Sequence, residues 1–219
     1  MVAKVTDGKP NTRQRILEAA GEIFAENGFR RTTIRQISGK ADVNIAAINY
    51  YFRSKDNLYL ETLRCWKDIA FEKYPPELGT SEDDPPEKRL EGFIRSFVFR
   101  ILDKGIESRF GRLMTREFTE PTAALDVIVE EMARPMFNLV SSIVGRIIGK
   151  DPANDTVLYC CASIVGQCLY FLYARPVLSR LIGDDRVGSM NMEDIAAHIC
   201  RFNLAALSAI KEDREGASS

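Results

Sequence analysis

The chain lacks the residue patterns of the common enzyme classes. Its 219 residues include one histidine and no glycine-rich phosphate loop, GxSxG or HExxH motif. Nucleophilic catalysis needs an activated nucleophile beside a base, and His198 has no obvious serine or aspartate partner. We therefore predict that the protein is not an enzyme and uses no cofactor, although an enzyme stays the main alternative class.

The five cysteines follow neither a disulfide nor a zinc-binding pattern. No CxxC and no Cys/His pair at ligand spacing occurs, so we expect no metal site. The first ten residues are polar and charged rather than a secretory signal, and Cys160 and Cys161 are adjacent in an apolar run. This favours free buried thiols in a reducing cytoplasm. A redox-sensing pair stays open, although no nearby cation would activate a thiolate.

Long hydrophobic runs are also absent, with one marginal exception. Residues 157–174 are 18 consecutive residues without a formal charge, which is barely enough for a transmembrane helix. The segment contains Ser163, Gln167 and three tyrosines, and a helix that is apolar all round also suits a core or a subunit interface. We therefore expect a soluble cytoplasmic protein without a membrane partner.

Charge is nearly balanced over the whole chain but not along it. The net charge is −1, yet residues 1–55 hold ten Lys or Arg and five Asp or Glu, a net of +5. A basic surplus confined to one segment suits a polyanionic partner. Residues 1–11 form a basic tail with Lys4 and Lys9, and Arg13 and Arg15 follow it. These cations are candidates for an arm along a nucleic-acid backbone, and a frayed, solvated tail is the alternative.

Helical periodicity dominates the sequence, and no strand pattern of useful length or internal repeat occurs. We predict an all-α fold of about nine helices, in which Pro135 kinks a long helix from about Pro121 to Gly149. The segment PPELGTSEDDPP is the best candidate for a flexible connection. The predicted domains are an N-terminal three-helix helix-turn-helix domain at 1–54, a helical effector-binding and dimerisation domain at 55–212, and a disordered tail at 213–219.

Residues 32–55, TTIRQISGKADVNIAAINYYFRSK, have the signals of a helix-turn-helix. Thr33 and Gln36 form a capping box at the start of one helix. Asp42 occupies the turn, where a left-handed backbone is needed, and Asn44 caps a second, short helix. Ser54 caps the next helix. The second helix would bury its apolar side and expose a slim face that fits a major groove.

The outward face of this short helix suits base recognition. Asn49 can read adenine bidentately, and Ile45 or an alanine can meet a thymine methyl. Lys55 lies in the first turn of the following helix, where a cation is unfavourable because it opposes the helix dipole. A phosphate bound at that helix start would make the lysine favourable, because both the lysine and the free N–H groups would contact it. A solvated lysine and, for Tyr50, a core aromatic are the alternatives.

Residues 12–58 resemble the DNA-binding domain of TetR-family transcriptional regulators. The departures are Asp42 for a turn glycine, Asn49 for a frequent tyrosine and Tyr51 for a frequent histidine. The resemblance implies phosphate contacts from Thr33, Arg35, Tyr50, Tyr51 and Lys55, and base-facing roles for Asn44, Ile45, Ala46, Ala47 and Asn49. The matching residues are Ile16, Leu17, Ala19, Ala20, Phe24, Gly28, Phe29, Thr32, Thr33, Ile37, Val43, Asn49, Tyr50, Tyr51, Phe52, Ser54, Lys55 and Leu58.

Two long C-terminal helices suggest a homodimer, because paired with their copies they would form a four-helix bundle, as in TetR-family members. The two recognition helices of such a dimer, which we call its reading heads, would lie one DNA turn or a multiple apart and would bind a palindromic operator in double-stranded DNA. The alternative is that the uncharged helix is simply the core of one chain. The predicted interface residues are Val157, Cys161, Ile164, Val165, Cys168, Leu169, Ile195, His198, Ile199, Phe202 and Ala206.

Residues 113–126 and 166–181 resemble the C-terminal domain of the CecR-like subgroup, which implies a small-molecule effector. We expect the effector to move the fourth helix and so release a repressor from its operator. A third functional class is a helical adaptor that uses its helix-turn-helix for protein contacts and has no sequence preference for DNA. The sequence does not identify the effector, the operator, the regulated genes or the direction of control. The predicted pocket residues are Trp66, Phe93, Phe97, Arg112, Met114, Arg116, Phe118, Gln167 and Tyr170, although plain core packing and a salt-bridged surface are the alternatives.

Overall fold

The structure, a computed structural model, describes residues 11–103 and 108–217. Within these ranges the chain is helical and contains no strand, which confirms the all-α prediction. In chain order the helices are α1 Thr12–Arg31, α2 Ile34–Ala41, α3 Ile45–Phe52, α4 Lys55–Lys73, α5 Pro86–Leu102, α6 Ser108–Thr119, α7 Ala124–Ile128, a π-helical turn Val129–Ala133, α8 Arg134–Ile148, α9 Asp155–Tyr173, α10 Arg175–Ile182, α11 Asp184–Ser189 and α12 Met192–Ala217.

Contacts divide the chain into two compact units. The first comprises Met1–Asp68 and Arg112–Leu125, and the second comprises Ile69–Gly111 and Asp126–Ser219. The predicted domain boundary after residue 54 therefore falls inside the first unit, which also includes most of α6. The predicted basic tail lies outside the described residues except for Asn11, whose Oδ1 accepts from Gln14 N at 2.9 Å and caps α1.

In the first unit α1 supplies the central core. Its apolar residues Ile16, Leu17, Ile23 and Phe24 are buried, and Gly28 interrupts the helix with a φ of 74°. The only tryptophan, Trp66, is 1% exposed and lies against Gly21. A Cβ at Gly21 would overlap Trp66 Nε1, so only glycine allows the indole to lie there.

A buried carboxylate joins α4 to the end of α6 within the first unit. Glu117 is fully buried and accepts from Tyr59 Oη at 2.8 Å, Thr122 N at 2.8 Å and Thr122 Oγ1 at 3.0 Å. Burial, followed by the charge and hydrogen bond of Glu117, raises the pKa of Tyr59. Three donors to one carboxylate explain how this anion is accommodated in the interior.

The core of the second unit lies between α5, α8, α9 and α12. Its members are almost all aliphatic or aromatic. Seven of them have no exposed surface: Leu90, Ile94, Val98, Ile143, Val144, Val157 and Ile164. Arg100 is also buried at 2% exposure, donating to Tyr74 O at 2.9 Å and stacking 4.2 Å from the Phe71 ring centroid. Burial lowers its pKa to about 10. The guanidinium thus joins α5 to the chain that follows α4.

The predicted kink at Pro135 takes a different form. The helix begins at Ala124 rather than near Pro121, and the π-helical turn Val129–Ala133 precedes α8. Pro135 lies in the first turn of α8, and Gly149 ends that helix in the left-handed region. Because proline lacks an N–H and clashes with the carbonyl four residues earlier, a wider turn accommodates it without ending the helical run.

Both long C-terminal helices begin with an asparagine cap. Asn154 caps α9, and Asn191 caps α12 through its Oδ1, which accepts from Asp194 N at 2.8 Å. Between α10 and α12 the chain forms the short helix α11. The tail predicted as disordered from 213 is helical to Ala217, and 218–219 lie outside the described residues. Among the described helices, α9 is long and apolar enough to span a membrane, judged by length and composition alone.

Candidate nucleic-acid interface

Local hydrogen bonds fix the turn between α2 and α3. Gln36 N donates to Thr33 Oγ1 at 3.3 Å and Thr33 N donates to Gln36 Oε1 at 2.8 Å, which completes the predicted capping box. Asp42 ends α2 with φ 50° and ψ 54°, the left-handed conformation predicted for it. Each signal is encoded within a few residues, so sequence reasoning could find it.

Two arginines of α1 bind the surrounding helices, and one of them, Arg15, holds this turn in place. Arg15 Nη2 donates to Ala41 O at 2.6 Å and to Asp42 O at 2.7 Å, at the carbonyl end of α2. Arg13 Nη2 pairs with Glu61 at 2.6 Å and its guanidinium lies 5.6 Å from the Phe52 ring centroid. Both residues therefore have partners within the first unit, and their role in a DNA-backbone arm stays a prediction.

Helix α3 presents its outer face on this frame. Asn44 Oδ1 accepts from Ala47 N at 2.7 Å, while Ile48 is 1% exposed and anchors the helix beneath. The capping bond occupies the Asn44 oxygen and leaves its amide nitrogen to donate. Of the residues predicted to face bases, Asn44, Ile45, Ala46 and Asn49 are exposed and Ala47 is half-buried.

The tyrosine pair follows on the same helix. Tyr50 is 81% exposed and Tyr51 is 43% exposed, with ring centroids 5.2 Å apart in an edge-to-face arrangement. The alternative that Tyr50 is a core aromatic is therefore wrong. Both hydroxyls are available to a phosphate, as the predicted role requires.

The start of α4 brings cations next to α3. Asn57 N donates to Ser54 Oγ at 3.1 Å, which confirms the predicted cap and leaves Lys55 in the first turn. Lys55 Nζ lies 4.4 Å from the centroid of the Phe29 ring, and its partial burial lowers its pKa while Asp56 opposes that change. The lysine is thus held near the helix start rather than fully solvated.

One cation at this surface was missed. Arg53 is exposed and has φ 64° and ψ −40°, and Ser54 N donates to Phe52 O at 2.7 Å across it. A tight turn of this hand is rare for a residue with a side chain, and such strain concentrates at functional positions. The available signal was a basic residue between the tyrosine pair and Lys55. Thr33 and Arg35, the remaining predicted phosphate contacts, are also exposed.

The predicted effector-pocket residues do not form one group. Phe93 and Phe97 lie on α5, Phe118 and Tyr170 are 48% and 51% exposed, and Gln167 exchanges amide hydrogen bonds with Asn203. None belongs to the described residues that line a cavity of about 170 Å³ in the first unit or one of about 370 Å³ in the second. The first unit contains Trp66, Arg112, Met114, Arg116 and Phe118, and the second contains Phe93, Phe97, Gln167 and Tyr170.

Burial corrects part of the predicted dimer interface. Five of its side chains are at most 1% exposed because they form the core of their own chain, as the alternative proposed, and so they are unavailable to a partner. His198, Phe202 and Ala206 on α12 are exposed, and Val165, Leu169 and Ile195 are half-buried. The five core members are Val157, Cys161, Ile164, Cys168 and Ile199.

A different face of α9 is exposed. Tyr159 is 68% exposed, and Ala162, Gly166 and Tyr170 continue the same side of the helix at helical spacing. A Cβ built on Gly166 meets no described atom within 4 Å. Phe202 of the neighbouring α12 is 59% exposed. We call these exposed residues of α9 and α12 the α9–α12 face.

The described cysteines are free thiols. Burial raises the pKa of Cys161, Cys168 and Cys200, that of Cys161 to about 12, so these thiols are not activated as thiolates. Within the described ranges no three His, Cys, Asp or Glu side chains are grouped as metal ligands.

Comparison with known proteins gives two family matches. Residues 16–62 match the bacterial regulatory proteins of the tetR family, and residues 86–207 match the C-terminal domain of the HTH-type transcriptional dual regulator CecR. The chain is 27% identical over 202 residues to CecR of Shigella flexneri, covering 85% of this chain and 89% of that protein. It is 35% identical over 92 residues to the HTH-type transcriptional repressor KstR2 of Mycobacterium tuberculosis, covering 41% and 45%.

Solved structures share the fold. A TetR-like transcriptional regulator from Rhodococcus sp. RHA1 superposes with a TM-score of 0.66 at 16% identity, covering 92% of this chain and 99% of the other. AibR, solved in complex with isovaleryl coenzyme A and operator DNA, superposes with a TM-score of 0.64 at 14% identity, covering 87% and 96%.

Proposed function

Because the chain belongs to the TetR family of transcriptional regulators and has a CecR-type C-terminal domain, we propose that it is a homodimeric cytoplasmic repressor released from a palindromic operator by a small-molecule effector. The observation that supports this most is the outer face of α3, where Ile45, Ala46 and Asn49 are exposed on a capped, anchored helix. A slim polar and apolar face of this kind can enter a major groove.

The residues around α3 suit backbone contacts. Arg35, Arg53 and Lys55 supply cations, and the hydroxyls of Tyr50 and Tyr51 lie on exposed rings. We assign these five to phosphates, which position the protein, and Asn49 to a base edge, which specifies sequence. Thr33 is less suited, because its hydroxyl already donates to Gln36 Oε1 at 3.0 Å.

A second copy of the chain is the proposed occupant of the α9–α12 face. Only 22% of the apolar stretch of α9 is buried within one chain, so much of its hydrophobic surface is left to pack against another molecule. Ala162 and Gly166 are small enough to let a symmetry-related helix approach closely. Pairing α9 and α12 with their copies gives a four-helix bundle and two reading heads.

Coupling between effector and DNA is assigned to α4. This helix begins with Lys55 in the first unit and ends at Lys73 in the second, so one helix contains residues of both. An effector that binds one position of α4 better than another would shift the population of DNA-competent dimers. A structural neighbour, AibR, was solved with both a coenzyme A thioester and operator DNA.

The DNA assignment is tested by titrating the protein against its own upstream region and a random duplex at several salt concentrations. Lys55→Ala should weaken binding to both duplexes similarly and lower the salt slope by about 1. Asn49→Ala should change the preference between operator variants. Lys211→Ala, on an exposed part of α12, is the matched control and should change neither. Equal affinity for operator and random duplex would instead support the helical adaptor.

The dimer is tested by sedimentation equilibrium. Phe202→Asp and Gly166→Trp should each yield monomers and lose most operator affinity, because each disrupts the α9–α12 face. Leu181→Asp introduces the same charge on a side chain that is 71% exposed elsewhere on the second unit, and should stay dimeric. A wild-type protein that sediments as a monomer, or variants that stay paired, would refute the proposed interface.

A further inference from the structure

A cavity of about 370 Å³ lies in the second unit, and none of the residues predicted for the effector pocket lines it. One wall comes from the end of α5, from α9 and from α12, including Leu102, Phe171 and Ile195. The other wall is the hairpin of α10 and α11, including Arg175 and Leu178. Its volume lies at the lower end of the range of roughly 300–1,000 Å³ typical of small-molecule sites.

Of the two charged side chains that line the cavity, Asp103 and Arg175, only the arginine is available to bind a ligand. The Oδ2 of Asp103 already accepts from Lys73 Nζ at 2.7 Å and from Tyr74 Oη at 2.6 Å. Arg175 has neither an ion pair nor a hydrogen bond from its guanidinium within the described part of the chain. The side chain available to a charged ligand is therefore a cation, and the ligand it favours is an anion.

The two walls also differ in rigidity. The α5–α9–α12 side belongs to the main core, where Ile101 is 7% and Cys168 is 1% exposed. Along α10, all of which is described, no residue is buried, and along α11 only Val187 is. An element with so few buried apolar contacts can adjust at little cost. A ligand in the cavity would give the hairpin the packing that it lacks.

We infer that this cavity binds an organic anion with an apolar body, whose negative group pairs with Arg175 while the body packs against Phe171 and Leu178. Its identification as the effector site rests on the function proposed above. The existence of the site does not, because ligand binding is measurable without DNA.

The probe is 8-anilinonaphthalene-1-sulfonate, an apolar fluorescent anion, compared with N-phenyl-1-naphthylamine, a related molecule without the sulfonate. Arg175→Gln should weaken the sulfonate probe about tenfold, the effect of one charge-assisted hydrogen bond, and leave the neutral probe within about twofold. Arg180→Gln is the matched control on the same helix, where the guanidinium donates to Pro176 O at 2.6 Å, and should change neither. Leu178→Trp should fill the cavity and abolish the saturable binding of both probes.

Circular dichroism of each variant separates loss of the site from loss of the fold. If folded Arg175→Gln binds the sulfonate probe as the wild type does, or loses both probes equally, the inference is overturned. In the wild type, saturating upstream duplex should weaken the sulfonate probe, because linkage between two sites is reciprocal. If the duplex is bound specifically but leaves probe affinity unchanged, the effector role fails while the DNA-binding function stands.

Discussion

The helix-turn-helix and the α10–α11 hairpin both expose apolar side chains, but for opposite reasons. Ile45 is 44% exposed and Leu181 is 71% exposed. The starts of α2, α3 and α4 each have a side-chain cap, from Thr33, Asn44 and Ser54. Neither α10 nor α11, both fully described, has one. The helix-turn-helix exposes apolar side chains on helices that caps and core contacts fix in place. The α10–α11 hairpin exposes them because it has no side-chain caps and only one buried residue. The first suits a rigid duplex and the second suits a ligand of variable shape.

The largest expected effect is the loss of unfolding free energy on removing the buried side chain that anchors α3. Ile48→Ala removes the 1% exposed anchor of α3 and should lower the free energy of unfolding by about 2–5 kcal/mol. Urea denaturation followed by circular dichroism measures it, and operator binding should fall in parallel. A loss below about 1 kcal/mol would mean that α3 is held by something other than its core face.

A smaller loss is expected at the cap of the same helix. Asn44→Ala leaves the N–H of Ala47 without its acceptor and should cost about 1 kcal/mol of unfolding free energy. Asn44→Ser restores a capping oxygen and should recover most of this stability. If both variants are equally destabilised, the side chain acts through something besides the cap.

Arg53→Gly should divide stability from function. Glycine relieves the positive φ of 64° and should raise the free energy of unfolding by about 1 kcal/mol, while operator binding weakens through loss of the cation. Arg53→Lys keeps both the strain and the charge and should leave stability unchanged. Thermal denaturation and duplex titration of both variants measure the two effects. Unchanged operator affinity in Arg53→Gly would remove this residue from the interface.

The smallest effect is expected on the hairpin. Leu181→Ala should change the free energy of unfolding by no more than about 0.5 kcal/mol, because the side chain is mostly in solvent. Urea denaturation under the conditions used for Ile48→Ala gives a direct comparison. A loss comparable to that of Ile48→Ala would show that this face is covered in solution, and the contrast between the two regions would disappear.

Sequence alone could predict the features that are encoded locally. The capping box at Thr33, the left-handed Asp42 and the caps at Asn44 and Ser54 each depend on residues at most three positions apart. This is why the helix-turn-helix was predicted almost residue by residue. Arg15 instead binds carbonyls 26 and 27 positions away, and no pattern near Arg15 distinguishes that role from a nucleic-acid contact.

The helices of the second unit were predicted more reliably than their orientations. A helix such as α9, with apolar residues on every side, has no periodicity to show which face is buried. The predicted interface therefore included Val157 and Ile164, which are core residues, and omitted Tyr159 and Gly166, which are exposed. The buried Glu117 is a similar case, because its partner Tyr59 lies 58 positions away.

The indole held against Gly21 gives the molecule a built-in reporter. Trp66 is the only tryptophan and belongs to the first unit, so intrinsic emission follows the surroundings of that unit, whereas far-ultraviolet ellipticity follows helices throughout the chain. If the two signals change at the same denaturant concentration, the units melt together. If emission changes separately, one optical measurement without any label records the first unit by itself.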